Sequence, residues 1–271
     1  MDKKAIVYPS FKSAQALYSN YSTITDNLSL WNHLLKYIDS SFLSALNSEN
    51  IREIYNKIIL KYYPNESCIK AEFLNNILLR GKKHVSIFEL PVGSSRVDLC
   101  KINGKSFAYE IKSDLDNFTR LSKQLQDYLF IFDYVYVICS ENRVYNISDF
   151  IPKECGIYTY KITSHGIYHF NLFKKATINT LINSNRQLQL LHKKELLDYF
   201  SFDATEYNKN NAIKAILHKY DSIYINKQFK KALKTRYQKQ WDFLKTYKDN
   251  ILEIDYQWFF KNPINPAIIY N

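Results

Sequence analysis

The chain has 271 residues, 46% hydrophobic and 16% aromatic, with only 5 Gly and 6 Pro. That apolar content excludes a disordered chain and supports one generous core or two modest ones, and the scarcity of Gly and Pro excludes long flexible linkers. The formal charge of +11 is uneven: residues 161–271 carry 18 Lys and Arg against 9 Asp and Glu, and residues 1–160 carry 19 against 17. A basic C-terminal region beside a nearly neutral body is the footprint of a polyanion binder, because each neutralised phosphate releases condensed counterions.

Met1–Ser10 has no apolar leader core, and no stretch reaches the roughly 20 apolar residues of a membrane span. The reading is a cytoplasmic protein without membrane association. Cys68, Cys100, Cys139 and Cys155 lie far apart without a Cys-x-x-Cys pair. This suits a reducing compartment and argues against structural zinc.

In chain order, Leu28, Trp31, Leu34, Leu35 and Ile38, then Ile51, Ile54, Ile58 and Leu60, recur at three and four and predict helices up to about Tyr63. Residues 69–80 continue the helical period, with Glu72 in its first turns and Gly81 as a stop. The period then falls to two, and Val85–Leu90, Arg96–Ile102 and Ser106–Lys112 predict three consecutive strands. Asp114 or Asp116 can cap a helix to about Phe132. Tyr134–Cys139 reads as a buried strand, Gly156–Ile162 and Gly166–Phe170 as two more, and the helical period returns from about Thr177.

The organisation expected is a helical segment over 1–66, an α/β core over 67–175 with a mixed sheet flanked by helices, and a basic helical region over 176–271. In that last region Phe229, Leu233, Tyr237 and Trp241 recur every four residues and read as a core-facing stripe. Lys227, Lys230, Lys231, Lys234 and Arg236 are the candidate nucleic-acid contacts, weighed against an ordinary solvated helix face.

The chemistry concentrates between Asp98 and Tyr128. Glu110 and Lys112 are two apart on a strand and so share a face, with Tyr109 and Ile111 turned to the other. A two-residue Asn103-Gly104 turn would set Asp98 against Tyr109 and leave Glu110 on the opposite face. A three-residue loop or a bulge at Gly104 would bring Asp98, Glu110 and Lys112 together. Asp116, Arg120, Gln124 and Tyr128 follow at intervals of four, as a polar stripe on the expected helix. His165 and His169 lack the Glu of a zinc-hydrolase motif, and in a strand they would stand about 13 Å apart.

Asp98, then Glu110-Ile111-Lys112, then Gln124-x-x-x-Tyr128 resembles the PD-(D/E)XK nuclease superfamily, in its RecB-type branch with a Gln-x-x-x-Tyr helix. The resemblance covers roughly residues 69–140, with Val97 standing where the superfamily name has Pro. It implies a restriction-endonuclease-like sheet and a divalent-metal-dependent nuclease acting on nucleic acid, DNA first. It also implies Mg²⁺ or Mn²⁺ held by Asp98, Glu110, the Ile111 carbonyl and Glu72. Glu72 is preferred over Glu89, which stands one strand before Asp98. Lys112 would orient or polarise water, Gln124 and Tyr128 would order the site, and Arg120 would meet the nucleic acid. The competing readings are a catalytically silent binding module on the same fold, and an interaction protein whose helical ends dock a partner or a second copy.

Overall fold

The computed structural model describes residues 6–46, 50–81, 83–201 and 208–270. The chain forms two compact units, each assembled from separated stretches: residues 1–75, 161–169 and 242–271 in the first, and 76–160 and 170–241 in the second. The three consecutive segments read from the sequence therefore regroup. The N-terminal helices and the C-terminus share one unit, and the basic region up to Trp241 joins the strands.

In the first unit, the helices Phe11–Ser19, Asn27–Tyr37 and Ile51–Tyr62 each begin at a side-chain cap, from Ser10, Asp26 and Asn50. Their buried faces include Leu17, Leu30, Leu34, Ile54 and Ile58. The buried carboxylate of Asp255 joins the N-terminal and C-terminal stretches, accepting from Tyr21 (2.7 Å), Thr23 (2.7 Å) and Tyr270 (2.7 Å). Across this unit's short middle stretch, the turn Thr163–Ile167 joins two strands.

A six-stranded mixed sheet runs in the order β1 (Val85–Val92), β2 (Ser95–Asn103), β3 (Lys105–Lys112), β4 (Tyr134–Ser140), β5 (Gly156–Ile162) and β6 (Tyr168–Lys174). β1, β2 and β3 pair antiparallel, whereas β3, β4 and β5 are parallel neighbours. The last strand lies two to four residues later than the expected Gly166–Phe170, because Gly166, at φ +83°, belongs to the turn. The parallel crossover from β3 to β4 contains the helix Leu121–Leu129.

That helix is shorter than expected, and neither aspartate caps it. Arg120 stands at its N-cap without a side-chain bond. Asp116 turns back instead to accept from the Ser113 N–H (2.8 Å) and hydroxyl (2.7 Å). Asp116 and Arg120 therefore lie before the helix, and the expected four-residue stripe reduces to Gln124 and Tyr128.

In the long helix Ser222–Tyr247, Phe229, Leu233 and Trp241 are fully buried, as the stripe predicts, and Tyr237 is half-buried. The four cysteines are free and buried, and burial pushes the thiols of Cys68, Cys139 and Cys155 up to about 12. Among the described residues no helix is long and apolar enough to cross a membrane.

Candidate active site

The register of β2 and β3 decides whether the acidic residues meet. Ile102 pairs with Ser106 and Cys100 with Ala108, so the connection is the three-residue Asn103-Gly104-Lys105 with Gly104 at φ +69°. This register sets the level of Asp98 against Glu110 and turns both to the face that also carries Lys112. The alternative two-residue turn, which would have separated them, is not the one adopted.

The ladder itself opens at that level. The pairs recorded between β1 and β2 skip Glu89 and Asp98, and those between β2 and β3 stop at Leu99 and Tyr109. The Asp98 carboxylate takes over a backbone role there, accepting from the Ile111 N–H at 2.7 Å. In a strand the N–H and C=O of one residue point to the same neighbour, so the Ile111 carbonyl also turns toward β2.

Glu89 has φ +56°, a left-handed backbone conformation inside a strand. For a non-glycine residue this costs on the order of 1–2 kcal/mol, and such strain clusters where a side chain must be aimed for function. The result brings carboxylate oxygens of Glu89 and Asp98 within 4.8 Å of each other. Three neighbouring strands thus contribute buried carboxylates at one level: Glu89, Asp98 and Glu110.

Glu110 is only 1% exposed, which excludes the ordinary solvated charge pair. Lys112 Nζ donates to Glu110 Oε1 (2.6 Å) and to Gln124 Oε1 (3.1 Å), and the Tyr128 hydroxyl shares its one proton between Glu110 Oε2 (2.7 Å) and the Arg96 carbonyl (2.7 Å). The four-residue spacing of Gln124 and Tyr128 therefore delivers one side chain to the base and one to the acid. Burial alone would lower the Lys112 pKa, but the charge and hydrogen bond of Glu110, with Asp98 and Asp116 beyond, hold it above its usual value. Burial and then the Glu110 charge push the Tyr128 phenol up, so it stays a donor.

Glu72 stands on the helix Glu66–Phe73 of the first unit. Arg120 is exposed, four residues before Gln124. Lys230 is consumed by a buried pair with Asp133 (2.9 Å), and Arg236 by an ion pair with Glu195 and a bond to the Leu190 carbonyl (3.1 Å). Lys234 reaches the Lys83 carbonyl (3.3 Å), and Lys227 and Lys231 are exposed. The lysines border the Gly104 end of the sheet, about 23 Å along β3 from Lys112 at 3.3 Å per residue.

Three supporting residues lie outside the motif read from the sequence. Arg96 forms an ion pair with Glu89 across the β1–β2 hairpin. Asp127, beside Tyr128, accepts from Ser95 (2.7 Å) and Ser94 (3.3 Å) and so fixes that hairpin's turn at Gly93. Arg143 donates to the carbonyls of Ser113 (2.6 Å) and Asp116 (2.8 Å) and lies over the Phe118 ring, pinning the loop after Lys112. Only the hairpin pairing of Glu89 with Arg96, flanking Pro91-Val92-Gly93, could have been found from spacing.

A family model described as bacteriophage P4 protein cII matches residues 60–257, well over half of the chain and all of the strand and helix residues just described. Protein cII of Enterobacteria phage P4 is 30% identical over 105 residues. That match spans 39% of this chain and 39% of the phage protein's own length. A solved protein of unknown function from Silicibacter pomeroyi is similar at a TM-score of 0.34 and 16% identity, over 56% of this chain and 92% of that one.

Proposed function

The chain belongs to the bacteriophage P4 protein cII family, and we propose that it is a divalent-metal-dependent nuclease hydrolysing phosphodiester bonds, with DNA as its first substrate. The observation that carries this reading is the cluster of Glu110, Lys112, Gln124 and Tyr128, joined by hydrogen bonds of 2.6–3.1 Å, with Asp98 on the adjoining strand accepting from the Ile111 N–H at 2.7 Å.

The donor set fits a hard divalent cation. Asp98, Glu110 and Glu89 offer carboxylate oxygens and Ile111 its carbonyl, the ligand type that Mg²⁺ and Mn²⁺ prefer. Each carboxylate oxygen can accept more than one partner, so the bonds already made to Glu110 leave room for a cation. A bound ion would supply charge opposite the phosphoryl oxygens and make a coordinated water more acidic.

The chain's own groups divide the remaining work. Lys112, held protonated, places a cation beside the reacting phosphate and orients a water rather than removing its proton. Gln124 fixes the ammonium, Tyr128 fixes Glu110, and the exposed Arg120 contacts the nucleic-acid backbone. The test is incubation of the purified protein with linear, circular and single-stranded DNA in Mg²⁺, Mn²⁺ or chelator. Ion-dependent cleavage supports the reading, and binding without cleavage under every condition would replace it with a silent binding module.

A further inference from the structure

At the opposite end of β3 from Lys112 lies a groove of about 660 Å³, lined by Lys105, Lys227, Lys231, Lys234, Ile178, Ile182 and Ile223 among others. Two features set it apart from a solvated helix face. Its floor is aliphatic and open, with Ile178 69% and Ile223 81% exposed. The segment that presents Ile178 and Ile182 is nevertheless pinned: the Asn179 side chain donates to the Phe132 carbonyl (2.7 Å), its backbone N–H to the Asp133 carbonyl (3.1 Å), and the Asn183 N–H to the Phe130 carbonyl (2.8 Å). These bonds hold the segment of Ile178 and Ile182 in place, and Ile223 is set by the first turn of the helix Ser222–Tyr247.

The rim is cationic. Lys227, Lys231 and Lys234 recur at four and three along the helix Ser222–Tyr247, so they share a face, and Lys105 joins them from the β2–β3 turn. Lys230, on the same turn of helix, already has its partner in Asp133. Four ammonium groups beside an aliphatic floor are complementary to a ligand that carries carboxylates and aliphatic side chains together.

We propose that this groove docks an acidic, amphipathic segment of a partner protein, with Leu, Ile or Val side chains on the isoleucine floor and Asp or Glu side chains on the lysine rim. Nucleic acid fits less well. Single strands bind by stacking bases on aromatic rings, and phosphates favour the forked guanidinium of Arg, whereas among the described residues the lining contains neither ring nor Arg. An apolar patch rimmed by charge is the usual mark of a protein contact.

The test uses the full chain and three labelled probes, read by fluorescence anisotropy: a 16-residue peptide with Glu and Leu at helical spacing, its scrambled isomer, and a 16-nucleotide DNA as single strand and duplex. The peptide is expected to bind at least fivefold more tightly than its scramble. Ile223→Asp and the double variant Lys227→Glu/Lys231→Glu should each weaken it at least fivefold. Both alter exposed positions, and unchanged circular dichroism and melting confirm the fold. Peptide affinity indifferent to Ile223→Asp would overturn the proposal. So would DNA affinity falling in the lysine variant while the peptide fails to bind, which would return the groove to nucleic acid.

Discussion

The Tyr128 hydroxyl donates to Glu110 Oε2 at 2.7 Å, and both side chains are buried. The phenol spans from the helix Leu121–Leu129 to β3 and shares its proton with the Arg96 carbonyl of β2. Tyr128→Phe keeps the ring and removes the donor, leaving a buried carboxylate short of one bond at a cost of about 1–3 kcal/mol. Supporting residues of metal sites typically change ion affinity or activity by about 10–100-fold. Titrating cleavage against Mg²⁺ is therefore expected to show a higher ion requirement in the variant, with the fold retained.

Lys112 separates a cationic role from a basic one. Its folded pKa lies above the ordinary lysine value, so the ion pair's contribution is complete below about pH 10.5 and is lost only as pH rises through the folded value. Lys112→Ala strands Glu110 in the interior, and a broken buried pair costs about 3–5 kcal/mol. Denaturant unfolding without metal should show that loss, together with abolished cleavage.

Glu89 offers a test in which stability and activity move apart. Asn tolerates the left-handed conformation that Glu89 holds at φ +56°, and Glu89→Asn removes the carboxylate. The expected outcome is a melting temperature no lower than wild type, with cleavage reduced at least about 100-fold. A drop in melting temperature with full activity would place Glu89 among structural residues.

Lys230 is expected to act through stability. Burial alone would raise the Asp133 pKa, but hydrogen bonds from Lys230, Asn226 and the Ser106 N–H hold it below its usual value. The pair's contribution is therefore present above about pH 3.8 and lost as pH falls through the depressed value. Lys230→Ala should cost about 3 kcal/mol at neutral pH, measured by urea unfolding, and the loss should shrink toward acid.

Much of this was legible in the sequence, for reasons that local chemistry supplies. The switch from helical period to period two after Gly81 located β1, β2 and β3, and the two-residue spacing of Glu110 and Lys112 placed them on one face. The register of Asp98 was legible only as a choice between two loop lengths, because Asn103-Gly104 suits either. The crossover helix was misread at its start because Asp116 and Ser113 satisfy each other locally, a competition that cap preferences do not resolve. Glu89 ranks behind Glu72 in the sequence, and its left-handed conformation inside a strand is not legible there, since it runs against propensity and is enforced by tertiary structure. The lysines of 227–234 read as one basic stripe, and only the fold distinguishes Lys230, committed to Asp133, from exposed Lys227 and Lys231.

The central claim is that Asp98 and Glu110 form one cation site that cleaves nucleic acid. The most direct measurement is Mn²⁺ binding by calorimetry beside cleavage of a labelled DNA, for wild type and Asp98→Ala. The account predicts that wild type binds the ion and cleaves, and that the variant loses both while keeping its melting temperature within a few degrees. Cleavage that survives in Asp98→Ala, or ion binding unaffected by it, would contradict the account.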